Sequence, residues 1–369
     1  MRRTGGAVPG DTRYEQINRI LWFVPQSTGT PILKSPHRKS GDMEYTTLGN
    51  TGITVSRLCL GCMSFGSKDW YDWVLEDDAS HEIIERAIDH GINFFDTANL
   101  YSYGESERIL GEALDGRREE SVVASKVYFQ MRDGDPNSGG LSRKTIEQEL
   151  AASLDRLGMD TIDLYQIHRW CYDTPIEETL RALDDAVRRG SVRHIGASSM
   201  WTHQFAEALH TSDRLGLERF VTMQNHYNLA YREEEREMLP FCDKNDIGVI
   251  PWSPMARGYL TRPHEEFETT ARGGVESEYR SDRHQKYRAG GGEEINDRIA
   301  EIAENEGVSM AQIALSWLLH KEWVDAPIIG TTSIEHLDAA VEALDISLAD
   351  SDIEYLEEPY QPVPVSGHE

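Results

Sequence analysis

The feature that most limits what this chain can become is an eightfold alternation of short apolar runs with amphipathic segments. "RLCLG" (57–61) precedes a helical pattern at 79–90 in which Ile83, Ile84, Ala87 and Ile88 share one face. "INFFDT" (92–97), "SVVASKV" (121–127), "TIDLYQIH" (161–168) and "VRHIGAS" (192–198) lead into helical patterns at 106–114, 142–158, 176–190 and 202–215. "FVTMQN" (220–225) leads into 233–245, "IGVIPWS" (247–253) into a long loop and helices at 294–306 and 309–320, and "APIIGTT" (326–332) into 333–344. Ser142 and Gly158 stand where an N-cap and a C-cap belong. Strands that alternate with helices imply a parallel sheet, and strands apolar throughout imply that both its faces are covered. Eight repeats fit a closed (β/α)8 barrel of the TIM type, a single domain over 43–369. No G-x-G-x-x-G follows the first strand, which disfavours a doubly wound dinucleotide fold.

Residues 1–42 lack apolar periodicity, and Met43 opens the patterned sequence with a GN–TG turn signal in "MEYTTLGNTGITVSRLCLG". The segment 1–42 reads as an unstructured extension or a misassigned start. No apolar stretch approaches the roughly 18 to 20 residues that cross a bilayer, and "ILWFVP" is too short for a signal-peptide core. A cytoplasmic protein without a membrane partner is expected. The net charge of −27 and the absence of a long Lys/Arg run argue against nucleic acid. Lysine is scarce, and such an acidic surface suits either a high-salt cytoplasm or an ordinary acidic enzyme. Cys59 and Cys62 form a C-x-x-C that no second pair or histidine cluster completes, so no metal is expected. Cys59 reads as core and Cys62 as a small residue near a cofactor.

In a barrel of this kind the active site lies at the C-terminal strand ends. Those positions hold Asp96 after the second strand, Lys126 in the third and His168 ending the fourth, with Tyr101 in the loop after Asp96. Singly, Asp96 could be a turn residue, His168 a core histidine and Tyr101 a surface one. Lys126 in an apolar strand is costly unless paired, and Asp96 on the neighbouring strand is its natural carboxylate. A nearby cation favours the phenolate, so the set suits proton donation by Tyr101 to a carbonyl that His168 orients. No side chain supplies hydride, so a nicotinamide is implied. The same residues leave open a lyase in which Lys126 forms a Schiff base.

"FFDTANLYSYGESERILGEAL", "VVASKV", "DLYQIHRW", "IGASS", "MQNHYNL", "PWSPMARGYL" and "PIIGTTSIEHL", in this order, resemble the motifs of the aldo-keto reductases. The resemblance spans 43 to 360, and the tail "YLEEPYQPVPVSGH" is similar to that of bacterial and fungal members related to aryl-alcohol dehydrogenases. It implies an NAD(P)H-dependent reductase of aldehydes and ketones, with Tyr101 as acid, Lys126 and Asp96 tuning it, and His168 orienting the carbonyl. It also implies NADP(H) held in an extended pose, with NAD(H) as an alternative. Ser198 and Gln224 would bind the carboxamide, with Ser199 beside them, and Trp252 would stack on the nicotinamide. Ser253, Pro254, Met255 and Arg257, with Gly330, Thr332, Ser333 and His336, would hold the pyrophosphate and the adenosine phosphate.

Three positions depart from the family pattern: Ser199 and Ala340 where asparagine is frequent, and Thr332 where an arginine or lysine often reaches the 2′-phosphate. Threonine lacks a charge-assisted fork, which loosens the preference for NADPH. Trp70, Trp73, Trp170 and Tyr231 are candidate substrate-pocket residues and suggest aromatic or apolar aldehydes. The loop 258–291 reads equally as a lid or a solvated insertion. A cofactor-binding regulatory subunit of the same fold is the rival implied by the resemblance, and the oligomeric state is left open.

Overall fold

A short hairpin closes the floor of the barrel. In the computed structural model, which describes residues 43–269 and 282–368, β1 (Tyr45–Thr47) pairs antiparallel with β2 (Thr54–Ser56). The expected extension 1–42 and the middle of the 258–291 loop lie outside the described residues. The hairpin places Leu48 and Val55 under the barrel, both fully buried.

Eight parallel strands follow: β3 (Cys59–Gly61), β4 (Phe94–Asp96), β5 (Val122–Val127), β6 (Ile162–Ile167), β7 (Val192–Ser198), β8 (Phe220–Gln224), β9 (Gly248–Val249) and β10 (Ile328–Ile329). Each pairs with the next from β3 to β9, and β10 pairs with β3. Backbone bonds from Asp325 N to Val249 O (2.9 Å) and from Ile328 N to Pro251 O (2.9 Å) close the ring into a (β/α)8 barrel. The last two strands are shorter than the apolar runs that announce them. Pro251 and Pro327 carry no N–H, so they accept ladder bonds without returning them.

The helices are α1 (Asp77–Asp89), α2 (Glu105–Ala113), α3 (Arg143–Leu157), α4 (Ile176–Arg188), α5 (Thr202–Leu215) and α6 (Met238–Lys244). After them come α7 (Asp282–Ala289), α8 (Gly292–Glu306), α9 (Met310–Leu319), α10 (Ile334–Glu342) and α11 (Asp350–Glu357). Ser142 accepts from Thr145 N to start α3, and Gly158 ends it at φ +61°. The pattern at 233–245 splits into a tight turn, Glu233–Arg236, and α6. Pro240 is tolerated only in the first turn of a helix, which moves the start to Met238. Among the described residues no helix is long and apolar enough to cross a membrane.

Side chains alternate along each strand. Cys59, Phe94, Ala124, Leu164, Ile250 and Ala326 fill the lower barrel with Leu48 and Val55, while the other parity packs against the helices. Burying a phenylalanine such as Phe94 contributes on the order of 1.5–3 kcal/mol. Two residues further up, the same inward parity turns polar at Asp96, Lys126 and Gln166, all buried. The core therefore ends in a charged layer at the mouth.

Candidate active site

Lys126 is fully buried and uses all three of its protons. Nζ donates to Asp96 Oδ1 at 2.5 Å, to Thr97 O at 2.9 Å and to Tyr101 Oη at 3.2 Å. Asp96 Oδ2 accepts from Gln166 Nε2 and Gln224 Nε2, each at 2.9 Å. Gln224 Nε2 also reaches Gln166 Oε1 at 3.1 Å. His168 ends the neighbouring strand, its ring meeting Tyr101 edge-on with centroids 5.9 Å apart and Phe129 at 4.9 Å. His168 Nδ1 is buried and has no hydrogen-bond partner among the described residues.

These environments set the protonation states. Burial alone would lower the Lys126 pKa, but Asp96 and then Tyr101 outweigh it and hold the ammonium above its ordinary value. Burial, then Lys126 and Arg169, push His168 well below 6.5, so its imidazole is neutral. Tyr101 departs from the expectation. Burial, the largest influence, and Asp96 together raise its phenol by more than Lys126 and Arg169 lower it, so the net shift is upward and the resting residue keeps its proton.

The turn that carries Tyr101 is held in uncommon backbone. Ser102 and Tyr103 lie at φ +48° and +52°, in the left-handed region. Ser102 Oγ accepts from Ser67 N at 3.2 Å and fills the space beside Gly66, where a Cβ would stand 2.1 Å from that oxygen. The small and acidic residues that follow act as fasteners. Ser106 Oγ donates to Cys62 O (2.7 Å), and fully buried Glu107 accepts from Ser125 Oγ (2.5 Å) and Arg156 Nε (2.7 Å). The loop is thereby tied to β5, one residue from Lys126.

A cleft of about 840 Å³ opens above this group. Trp70, Tyr71, Trp73 and Phe129 line one side, and Asp96, Tyr101, His168 and Arg169 its base. Ser198, Gln224, Trp252, Ser253, Pro254, Met255 and Arg257 continue it toward Gly330, Thr332, His336 and Ala340. Lys126 lies beneath the surface.

Four residues expected at the site stand elsewhere. Ser199 is behind Ser198, where its Oγ accepts from Trp252 Nε1 at 3.1 Å. Ser333 caps α10 by accepting from His336 N at 3.2 Å. Trp170 does not line the cleft; it is half-buried against the helical shell. Tyr231 is fully buried and stacks on His226, whose other face carries Trp252, so it sits two rings behind the wall. Gln166 is a site residue that motif reading missed. Its signal is a lone amide in an apolar strand, two residues before His168. Phe129, Arg169 and Arg262 also line the cleft, Phe129 and Arg262 just beyond a recognised motif and Arg169 within one.

A model of the aldo/keto reductase family matches residues 57–361. The chain belongs to the aldo-keto reductase family. It is 40% identical to aldo-keto reductase AMT2 of Alternaria alternata over 95% of this chain and all of that one. It is 44% identical to a Schizosaccharomyces pombe protein named "putative aryl-alcohol dehydrogenase", over 88% of this chain and 97% of the relative. With versiconal hemiacetal acetate reductase of Aspergillus parasiticus the identity is 41%, covering 87% and 98%. This aldo-keto reductase is thus an oxidoreductase of a family that works on small carbonyl substrates with a nicotinamide cofactor.

Proposed function

We propose that this aldo-keto reductase reduces aldehydes and ketones to alcohols, with Tyr101 as general acid, His168 orienting the carbonyl, and Lys126 and Asp96 tuning the acid. The observation that carries this reading is the contact of Lys126 Nζ with both Asp96 Oδ1 and Tyr101 Oη at the base of the cleft. The carbonyl oxygen would accept from the Tyr101 hydroxyl and from neutral His168. As charge develops on that oxygen the Tyr101 proton leaves, and the phenolate forms 3.2 Å from an ammonium. Burial keeps the proton on at rest, and Lys126 stabilises the state without it. Gln166 and Gln224 hold the Asp96 carboxylate against Lys126.

Hydride would come from a bound NADP(H), with NAD(H) as an alternative, and the cleft has features that fit such a group. Arg257, Arg262 and His336 line its far end, where phosphates need cations. Arg262 Nε is buried with no hydrogen-bond partner among the described residues. A Cβ at Gly330 would meet nothing within 4 Å, leaving open room against the backbone. Ser198, Gln224 and Trp252 would hold the nicotinamide end, and Met255, Thr332 and Ala340 the remaining wall.

The aromatic wall favours aryl and apolar aldehydes, in keeping with the aryl-alcohol dehydrogenase name of one relative. The raised pKa of Lys126 disfavours the Schiff-base reading, because an ammonium is no nucleophile. The test is oxidation of NADPH and NADH with 4-nitrobenzaldehyde in molar KCl, beside Tyr101→Phe. Turnover should fall roughly 10²-fold or more in the variant while cofactor binding persists. Cofactor binding without turnover on a broad carbonyl panel would favour a regulatory subunit instead, and no cofactor binding would sink both.

A further inference from the structure

We infer that the segment Gln361–His368 positions the wall formed by Trp252 and Ser198, through Ser199 behind them, so that the tail belongs to the cofactor-holding machinery. This rests on the reading that Trp252 faces the nicotinamide. Two bonds from the tail, and one from Tyr360 just before it, fasten it to the residues after β8. Tyr360 Oη and Val363 N each donate to Glu233 Oε1 at 2.8 Å, and Ser366 N donates to Tyr231 Oη at 3.0 Å.

From these anchors two routes converge on the wall. The first is a stack of rings. Tyr231, held by Ser366, lies against His226 at 4.3 Å and 12°, and His226 lies against Trp252 at 4.3 Å and 8°. The second is a polar chain through the interior. His368 Nε2 stands 3.2 Å from Glu234 Oε1, and both side chains are buried. Glu234 Oε2 accepts from Asn225 Nδ2 at 2.6 Å, and Asn225 Oδ1 accepts from Ser199 N at 2.9 Å. Ser199 Oγ then accepts from Trp252 Nε1 at 3.1 Å and lies 3.2 Å from Ser198 Oγ.

The geometry at the end of the tail serves this contact. Gly367 takes φ +91°, which turns His368 inward, and a Cβ there would stand 3.5 Å from the Trp252 ring. His368 meets Trp201 edge-on at 4.9 Å. Neither ring nitrogen of His368 has a hydrogen bond among the described residues, so its approach to Glu234 is a close polar contact without hydrogen-bond geometry. Ser199 lies at φ +50°, a conformation that needs its surroundings to hold it, and Asn225 does so. Loss of His368 removes the group that packs 3.2 Å from buried Glu234 Oε1, and the disturbance falls on Asn225 and Ser199. His368 and Glu234 are therefore positioning residues, and neither lines the cleft.

The test uses the full chain with His368→Ala, and a shortened chain ending at Val365, measured beside the parent. Cofactor affinity is read by NADPH titration of tryptophan fluorescence, and turnover with 4-nitrobenzaldehyde. His368→Ala should weaken NADPH binding roughly five- to tenfold, the order expected for one lost buried contact, with kcat at saturating cofactor within about twofold. His368→Gln, which keeps a donor toward Glu234, should restore most of the affinity, which a general loss of packing would not allow. The shortened chain, which also loses the Ser366 bond, should be weaker still. Unchanged affinity in His368→Ala and in the shortened chain, with a parent that binds NADPH, overturns the inference. A parent that binds no nicotinamide overturns the cofactor reading on which it stands.

Discussion

Gln166 donates its amide to Asp96 Oδ2 across 2.9 Å, on the side of the carboxylate away from Lys126. The residue makes no contact with Tyr101 that the proton chemistry needs, yet it fixes the group that fixes Lys126. Gln166→Leu leaves Asp96 Oδ2 with Gln224 alone and takes from Gln224 its Oε1 acceptor. The expected result is a fall in kcat of about tenfold, the weight of one buried charge-assisted bond. Steady-state reduction kinetics check it, and a kcat equal to the parent's would remove Gln166 from the machinery.

The role of Gln166 lay outside what motifs convey because it depends on register. Lys126 stands opposite Gln166 across β5 and β6, and that pairing is a property of the sheet. Local signals travelled well: the strand runs, the Ser142 and Gly158 caps and the polar residues at strand ends all stand where period and position put them. Aromatic residues just past a strand end travelled poorly. Tyr231 follows one motif that ends at the mouth and Trp170 closes another, but the chain turns outward there, and the tail that covers Tyr231 lies 135 residues further on, with Ser366 N bonded to Tyr231 Oη. The direction of the Tyr101 pKa also escaped, because the adjacent cation was visible in sequence and the depth of burial was not.

That direction has a consequence for pH. Tyr101 keeps its proton above the ordinary phenol pKa of about 10, and His168 stays neutral well below its ordinary 6.5. With Tyr101 as the proposed acid, reduction should therefore run on a broad plateau through neutral pH and decline only in strong alkali. Lys126→Met removes the cation that lowers the phenol pKa, so that pKa moves further up. Reduction at pH 7 should slow by roughly 10²-fold, because the developing phenolate loses its partner. Alcohol oxidation needs the phenolate, so its rising limb should move to higher pH in the variant. Profiles of both directions decide the matter, and a limb that stays in place counts against Tyr101 as the acid.

On the proposed reading cofactor preference turns on Thr332, which lines the cleft beside His336 and is exposed. A hydroxyl can bind a phosphate oxygen but brings no charge. Thr332→Arg adds a planar donor fork there, in a chain whose net charge is −27. The ratio of kcat/KM for NADPH over NADH should rise about tenfold, through KM for NADPH. The expected signature is a steeper salt dependence of that KM in the variant. An unchanged ratio would mean that the 2′-phosphate lies elsewhere, with Arg262 the next residue to replace.

Gly104 tests whether the small residues after Tyr101 are there for geometry. It sits at φ +99°, and a Cβ would stand 2.4 Å from Arg156 Cδ. Arg156 in turn holds Glu107, which binds Ser125 next to Lys126. Gly104→Ala should therefore cost stability twice, through backbone strain and through displacement of a guanidinium from a buried carboxylate. A loss of about 2 kcal/mol or more is the expected scale. Urea unfolding should show the midpoint fall at constant slope. Activity should fall as well, since the turn that presents Tyr101 shares that anchor. Arg156→Lys separates the two causes. It relieves nothing at the glycine but weakens the hold on Glu107, so a loss of kcat in both variants places the effect in the Glu107 link, and a loss in Gly104→Ala alone places it in the turn.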